Sequence, residues 1–479
     1  MTIQHIAATV GAGAVMALWS AMPAAQQAPP AAPTFNTDVA PIFFDNCTSC
    51  HRAGEMAPMS LMSYREARPW AKAIATKVAD GTMPPWHADP KYGTFSNARM
   101  LTDAQKSTIA KWVSTGAPEG TGPAPAPPTY HDGWNITPDV VLSMQEDYPI
   151  PATGEVPYQY LEVPANFAED RYIQAWEIRP GDRATVHHLL LSTRPPPAVV
   201  EQQMKRQQQA MLQRMLGAPV ANAAPGANAA PRPVPPFGFA CCVEIPAGQS
   251  GGRPLPPEQR KPLGPNYRPR QAGTGPSMGG YSPGGSIREF PEGMAMRLPA
   301  GHSLVFQMHY TTYGKATTDR TKIGLRFAKT PPKTILNTLA LINGSLSIPP
   351  RAANHLVENE MTFNRETMLY SLIPHTHVRG SGWHYEATYP DGRKEVILSV
   401  PKYDFNWQHE YVFATPLRLP AGTKIHAKAW YDNSPGNKSN PDPSQQVTWG
   451  DQTWEEMMYT SITFSFVAAP APTAAGGQQ

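Results

Sequence analysis

Short apolar runs separated by turn residues dominate the chain beyond about residue 135. Many of them alternate apolar and polar positions, and Gly, Pro and Asn mark their ends, as expected for β-strands. Several short strands at this spacing are typical of β-sandwiches. The clearest runs are 172–178, 187–192, 303–311, 323–327, 367–373 and 425–430. We therefore expect two all-β sandwiches over 136–328 and 329–468.

The region from 34 to 120 has a different, helical pattern. Ser63-x-x-Glu66 forms a capping box that predicts a helix running to about residue 80. Thr102-x-x-Gln105 predicts a second helix, which Gly116 ends. The pattern predicts a small all-α domain at 34–120.

Several other segments have a composition unlike that of the predicted domains. Residues 1–25 resemble an export signal, because their apolar stretch is too short to span a membrane and small residues follow it. A Pro/Gly-rich linker is expected at 121–135, a loop-rich insertion at 195–275 and a disordered tail at 469–479. No later segment reaches the length of a membrane span, so we expect no stable membrane insertion and a periplasmic or secreted protein.

Composition agrees with a loop-rich, mostly β protein. The 479 residues include 55 Pro and 37 Gly, and 16% are charged. Lys plus Arg number 40 against 37 Asp plus Glu, a near-balance that gives no reason to propose a nucleic-acid partner.

The stretch Cys47-Thr48-Ser49-Cys50-His51 is the attachment signature of a c-type haem. The thiols of Cys47 and Cys50 add to the haem vinyl groups, and His51 becomes the proximal iron ligand. Only four cysteines exist in the chain. Haem attachment of this type takes place outside the bacterial cytoplasm, which supports export.

Met83 is the expected distal ligand of the haem iron. It follows a predicted helix, Pro84 and Pro85 restrict its loop, and a thioether ligand raises the haem potential. The competing ligands are Met56, Met59, Met100 and His87.

The histidines of the β region form a second candidate site. They are the adjacent pair His187-His188, His309, and the pair His375 and His377. Residues two apart on a strand face the same side, so His375 and His377 can bind one metal ion. Adjacent residues face opposite sides, so for His187 and His188 to share an ion the strand must bulge, or the rings must use different nitrogens. Imidazoles suit Zn, Cu, Fe or Ni.

Several short motifs occur in series around these histidines. They are Thr-Val-His-His-Leu-Leu-Leu at 185–191, Phe-Gln-Met-His-Tyr at 306–310, His-Thr-His at 375–377, Tyr-Asp-Phe-Asn-Trp-Gln at 403–408 and Glu-Glu-Met at 455–457. In this order, over residues 136–468, the chain resembles the copper type II, ascorbate-dependent monooxygenases, the family of peptidylglycine α-hydroxylating and dopamine β-monooxygenases.

The resemblance implies two jelly-roll-like β-sandwiches that face a solvent cleft, each with one copper ion. His187, His188 and His309 would bind the electron-transfer copper. His375, His377 and Met457 would bind the oxygen-activating copper and so be the catalytic residues, with Met458 as the rival to Met457. A soft thioether favours Cu(I), the state that must meet dioxygen. The complete expected fold is thus a small all-α cytochrome c domain followed by two such sandwiches.

The expected function is a copper monooxygenase that hydroxylates a C–H bond of a small organic substrate with O2. Its electrons would come from a periplasmic donor, an ascorbate-like reductant or a redox protein, and pass through haem c to the two copper ions. Two alternatives stay open: a non-catalytic haem and copper electron-transfer protein, and a copper oxidase that inserts no oxygen. Ile373 stands where the peptide-hydroxylating members have a substrate-binding arginine, so peptidylglycine is not the expected substrate.

Two further features concern cysteines and histidines outside these motifs. Cys241 and Cys242 form a vicinal pair, expected to be structural or redox-inert. His384 and His409 lie close enough to the motifs to orient copper ligands.

Overall fold

The structure is a computed structural model. It describes residues 32–55, 57–130, 133–202, 277–283, 285 and 287–467, with residues 205, 206 and 209 and the backbone of 239 and 240. The predicted export signal and tail, most of the predicted insertion, Met56 and the Cys241-Cys242 pair lie outside the described residues.

The N-terminal region contains short helices. A π-helix, Phe35–Val39, leads into α1, Ala40–Asn46. Further helices are α2, Tyr64–Ala67, a 3-10 turn, Arg68–Trp70, α3, Ala71–Ala79, and α4, Asp103–Ser114. Both predicted caps are present: Ser63 Oγ accepts from the Glu66 amide, and Thr102 and Gln105 form a complete capping box. The helix expected over 63–80 is interrupted by the 3-10 turn that contains Pro69.

Beyond residue 139 the regular structure of the described chain is β-sheet, apart from the helical residues 197–202, 205, 206 and 209. Its strands are β1 Val140–Ser143, β2 Tyr148–Ile150, β3 Gln159–Val163, β4 Arg171–Arg179, β5 Val186–Arg194, β6 Phe239–Ala240, β7 Ser277–Tyr281, β8 Ile287–Glu289, β9 Met294–Leu298, β10 Ser303–Tyr310, β11 Thr317–Asp319, β12 Lys322–Phe327, β13 Thr334–Ile342, β14 Ser347–Ile348, β15 His355–Phe363, β16 Thr367–His375, β17 Gly380–Thr388, β18 Lys394–Val400, β19 Tyr411–Leu419, β20 Thr423–Tyr431, β21 Val447–Thr448 and β22 Tyr459–Phe466.

One large sheet runs through both β halves. Its order is β1-β12-β4-β9-β13-β22-β16-β19, with β8 paired to β4. The halves join where β9 and β13 pair in parallel, Thr334 opposite Met294. A five-stranded sheet, β6-β3-β10-β5-β7, completes the first half, and a four-stranded sheet, β15-β20-β17-β18, completes the second. Each half has its own apolar core.

The predicted fold class, a small all-α cytochrome c domain followed by two all-β jelly-roll-like sandwiches, is wrong, because the small all-α domain is not present. The described chain is mostly β-sheet, and the four α-helices of the N-terminal region have only 4 to 12 residues. Between α3 and α4 the chain leaves helical structure, and Trp86, Ala88 and Phe95 are buried in the core of the second half. Phe95 also forms a β-bridge with Phe413.

The physical reason for this difference lies in the apolar side chains of 86–95. The short helices have a small core of their own, and it does not include this stretch. The second half covers it instead, because burying large aromatic rings against a sheet removes more apolar surface from water than leaving them on short helices. No helix among the described residues is long and apolar enough to cross a membrane.

Candidate metal centres between the two halves

His187, His188 and His309 come together on adjacent strands of the five-stranded sheet. His309 on β10 pairs with His188 on β5, and the next pair joins Tyr310 to Val186. This shift of register leaves His187 as an extra residue, so β5 has a bulge at this position. The bulge is the feature that two adjacent histidines need in order to face the same point.

The ring nitrogens of these histidines converge. The Nδ1 atom of His188 lies 3.0 Å from Nδ1 of His187 and 3.2 Å from Nδ1 of His309. One ligand atom from each ring lies within 4.8 Å of the others, so the three could hold one metal ion. Burial lowers the pKa of all three, and for His188 and His309 the neighbouring imidazoles lower it further. The rings are therefore neutral, the form that binds metals.

His375 and His377 form a second set at the end of β16. The Nδ1 atom of His375 lies 2.6 Å from Oε1 of Gln408, and Nδ1 of His377 lies 3.1 Å from the Glu455 carbonyl oxygen. Because amide oxygens only accept, each Nδ1 carries the proton and each Nε2 carries a lone pair. Nε2 of His377 is buried and has no hydrogen-bond partner among the described residues. Both rings are thus oriented as metal ligands are.

Glu456 organises the backbone around this second set. Its Oε2 accepts from the amides of His377, at 2.8 Å, and Met457, at 3.2 Å, while its Oε1 accepts from the Arg379 amide at 2.7 Å. Burial raises the pKa of Glu456 to about 7, although these amide donors act against the rise. One carboxylate therefore fixes the chain at both predicted ligands.

Met457 and Met458, the two candidate ligands, lie in different surroundings. Met458 belongs to the core of the second half. Met457 instead packs with Trp449 and Tyr459, and Tyr459 pairs with His375 across β22 and β16. Of the two methionines, Met457 therefore lies outside that core and beside the His375–His377 set.

The two histidine sets adjoin each other. The ring centroids of His188 and His375 are 6.0 Å apart. Tyr158 packs against His188, His309 and His377, with the closest centroid distance 4.6 Å, to His309. The resemblance implies two sites that face each other across a solvent cleft. Here the aromatic rings of Tyr158 and Phe405 each contact histidines of both sets.

The haem-attachment segment follows α1. Cys47 and Cys50 are free thiols, and burial raises the pKa of Cys47 to about 12. Nδ1 of His51 lies 3.3 Å from the Met59 carbonyl oxygen, so its Nε2 carries the lone pair that an iron ligand requires. This places the Met59 backbone beside the His51 ring.

The candidates for the distal position differ in their surroundings. Met83 follows α3, is half-buried, and its amide donates to the Lys77 carbonyl at 3.0 Å. Met100 is 49% exposed. His87 lies beside His409, with ring centroids 6.3 Å apart, at the contact with the second half.

Gln408 and Phe405 carry no separate role in the sequence prediction, whereas His384 and His409 were expected to orient copper ligands. Gln408 orients His375, and its only sequence signal is its place in the 403–408 motif. Phe405 of the same motif stacks on His187 at 5.4 Å. His409 contacts Trp86 at 5.8 Å and hydrogen-bonds the Pro85 carbonyl. His384 contacts Tyr92 of the N-terminal region and none of the candidate ligands.

No protein-family model matches the chain, and no curated protein matches it. Among solved structures, one described as "Crystal Structure of the STIV MCP" is similar at 10% sequence identity over 68% of this chain and 97% of that one, with a TM-score of 0.24. A similarity this low carries no inference about this chain.

Proposed function

We propose that this protein is a copper-dependent monooxygenase that hydroxylates a C–H bond of a small organic molecule with O2 and receives its electrons through a covalently attached haem c. The observation that carries the proposal is the convergence of five neutral imidazoles, four of them buried and that of His187 partly buried, in two adjoining sets. The order of the motifs around them, and their resemblance to copper type II monooxygenases, support copper as the metal.

The residues present fit these groups. His187, His188 and His309 would hold one copper ion, and His375, His377 and Met457 the other. An unpartnered Nε2 in the protein interior, as at His377, is costly unless a ligand satisfies it. Cys47, Cys50 and His51 would hold the haem, with Met83 as the distal ligand. When bound, copper supplies one-electron chemistry with dioxygen, and haem supplies electrons one at a time.

The protein's own part is to orient and to exclude water. Gln408 and the Glu455 carbonyl fix the tautomers of His375 and His377, so that both offer Nε2. Glu456 holds the loop that carries His377 and Met457. Tyr158 and Phe405 exclude water from the space between the sets. Burial keeps the imidazoles neutral, so no proton has to leave before a metal binds.

The N-terminal region contacts both halves. Nη1 of Arg183, four residues before His187, donates to Oε1 of Glu55. On the other side, the Pro85 carbonyl accepts from His409, the neighbour of Gln408. These contacts are compatible with delivery of electrons from the N-terminal region to either histidine set.

Metal analysis and isotope labelling together test the proposal. The purified protein should contain two copper ions for each covalent haem iron. With 18O-labelled dioxygen, a reductant and a panel of small organic compounds, it should produce a hydroxylated product that carries the label. Oxygen consumption without label in any product would indicate an oxidase, and haem reduction without oxygen consumption would indicate an electron carrier. Either result would refute the proposal.

A further inference from the structure

A cavity of about 600 Å³ lies between the two halves, and His188 and His375 are among the residues that line it. This volume is within the range of sites that enclose small organic ligands. Three parts of the chain line it with aromatic rings: Trp86 from the N-terminal region, Trp176 and Phe290 from the first half, and Tyr370 and Tyr459 from the second. A molecule in this cavity is therefore surrounded mainly by apolar surface and lies against one residue of each histidine set.

One face of β16 contributes residues to the cavity lining. Ser371, Ile373 and His375 alternate along this strand and so share one face. Tyr459 and Ser461 of β22 pair with His375 and Ile373 and line the cavity beside them. Ser371 and His375 are four positions apart on the strand, roughly 13 Å. Arg288, a residue of the cavity lining, hydrogen-bonds Ser371 Oγ, so its guanidinium lies about that far from His375 along β16.

A partly buried ion pair of the cavity lining lies beside Ser371. Nη1 of Arg288, on β8, contacts Oε2 of Glu410, and Nη2 donates to Ser371 Oγ at 3.3 Å. The Arg288 and Glu410 side chains are 12% and 23% exposed. Burial lowers the pKa of Arg288 to about 10, so the guanidinium remains charged at neutral pH.

Arg288 has more N–H donors than its neighbouring acceptors use. A guanidinium carries five N–H groups. Within the described chain, Arg288 contacts Glu410, Ser371 and the ring of Phe290. A ligand oxygen can therefore accept from the remaining N–H groups without breaking the ion pair.

The charged side chains of the cavity lining indicate which kind of ligand the cavity favours. Among the described residues that line the cavity, the charged side chains are Arg99, Arg288, Glu289 and Glu410, two of each sign. A charged ligand would add an unbalanced charge to a buried space, with a desolvation penalty that a neutral ligand avoids.

We propose that this cavity binds the substrate, and that the substrate is a neutral, largely apolar, ring-containing molecule whose one oxygen acceptor, such as a ketone, is held by Arg288 while the far end of the molecule reaches His375. The proposal rests on the proposed function for the reaction, but the binding itself requires neither metal. Arg288 is a positioning residue, and Glu410 keeps it charged and in place.

Calorimetric titration of full-length, metal-free protein tests the binding with three compounds of one skeleton. They are the neutral ketone 4-phenylbutan-2-one, the carboxylate 3-phenylpropanoate and the ammonium ion of 4-phenylbutan-2-amine. We expect the ketone to bind most tightly and to change the fluorescence of the cavity tryptophans. Tighter binding of the carboxylate or the ammonium ion, or no binding of the ketone, would overturn the proposal.

A double variant, Arg288→Met with Glu410→Gln, tests the anchor without leaving a buried unpaired charge. We expect it to weaken ketone binding about tenfold or more, the loss for a hydrogen bond to a charged group. Arg288→Lys keeps the ion pair, and thus the fold, but removes the additional donors, so it should weaken the ketone in the same direction.

The matched control replaces an exposed ion pair of the same half. In Arg297→Met with Asp170→Asn, the lost pair is 53% and 33% exposed and lies outside the cavity lining. Its ketone affinity should equal that of the wild type. Equal affinities in both double variants would refute Arg288 as the anchor. Because the titrations use metal-free protein, their failure leaves the labelling test of oxygen insertion intact, and the reverse also holds.

Discussion

At the residue scale, the candidate site depends on the partner that each of the two ring nitrogens of every histidine has. His375 and His377 each give one nitrogen to a protein oxygen and keep the other for a ligand. In the other set, three Nδ1 atoms face one another with no carboxylate between them. Neutral rings in this arrangement have unused lone pairs, and a metal ion is the partner that satisfies several of them at once.

His188 is the central member of the first set, so removing it should abolish that site. In His188→Ala only two imidazoles remain, and we expect the purified protein to contain one copper ion fewer per chain than the wild type. Elemental analysis after dialysis against a weak chelator measures this. His302→Ala, a substitution outside both sets, is the control. Full copper content in His188→Ala would contradict the assignment.

His409 makes a prediction for stability against pH. Burial lowers its pKa from 6.5 to about 3. Above 6.5 the ring is neutral in both states. As the pH falls from 6.5 toward 3, the unfolded chain takes up a proton that the folded chain does not, so stability is lost over this window. The loss is about 1.4 kcal/mol per pH unit for one group.

His409→Asn removes this titration but keeps a side-chain donor for the Pro85 carbonyl. Relative to the wild type, metal-free His409→Asn should gain stability as the pH falls from about 7 to about 4. Urea unfolding at several pH values gives the difference in free energy. A difference that stays constant with pH would show that His409 is not a buried neutral ring.

At the element scale, strand irregularities position the ligands. A regular β5 would point His187 and His188 to opposite faces, and the bulge opposite His309 and Tyr310 lets both reach one point. In the second set, β16 ends at His375, and a tight turn containing His377 leads into β17. Register therefore sets the geometry of the first set, and a turn sets that of the second.

The turn after His377 leaves no room for a side chain at Gly380. An added Cβ there would lie 1.7 Å from Thr376 Oγ1 and 2.6 Å from Thr376 Cβ, and Thr376 is fully buried between the two histidines. We expect Gly380→Ala to destabilise the protein by about 1–3 kcal/mol, the cost of overpacking, and to weaken copper binding by displacing His375 and His377. Urea unfolding and copper titration measure both effects.

Gly382 provides the control in the same strand. An added Cβ there meets its nearest atom at 3.5 Å, an ordinary contact. Gly382→Ala should therefore bind copper as the wild type does. If the two alanine variants behave alike, the close approach at Gly380 is not what holds the turn.

At the scale of the whole molecule, the N-terminal region is built into the β structure. Phe95 is buried beside Trp86, Tyr411 and Phe413, with ring centroids 5.3 to 6.0 Å away. Main-chain hydrogen bonds of 2.8 and 2.9 Å join 94–96 to β19. The second half therefore buries part of the N-terminal region, and the two share one apolar core.

Phe95→Ala should therefore destabilise the second half as well as the N-terminal region. Removal of a buried phenylalanine costs about 3–5 kcal/mol. Hydrogen exchange should be faster at the amides of β19. Phe44→Ala, which affects the small helical core, should leave β19 exchange unchanged. Unchanged β19 exchange in Phe95→Ala would show that the N-terminal region folds independently.

The sequence predicted local features better than contacts between distant residues. The caps at Ser63 and Thr102 were predicted correctly, because a capping box depends on residues three apart. Strands such as β5, β10 and β16 follow from their alternating pattern, although the pattern could not show that one sheet joins both halves. Arg288 and Glu410, more than a hundred residues apart, have no sequence signal as a pair.

By itself, the sequence determined which residues can carry chemistry: the Cys47–His51 motif, the His187-His188 pair, and the spacing of His375 and His377. Those signals are local, because they depend on covalent spacing and strand periodicity. Only the tertiary structure decided that the two histidine sets adjoin, that Gln408 and Glu456 orient the second set, and that 86–95 belongs to a β core. These features depend on which surfaces pack together across long stretches of sequence. The hydrophobic effect is non-directional, so the pattern of apolar residues along the chain does not show which surfaces pack against each other.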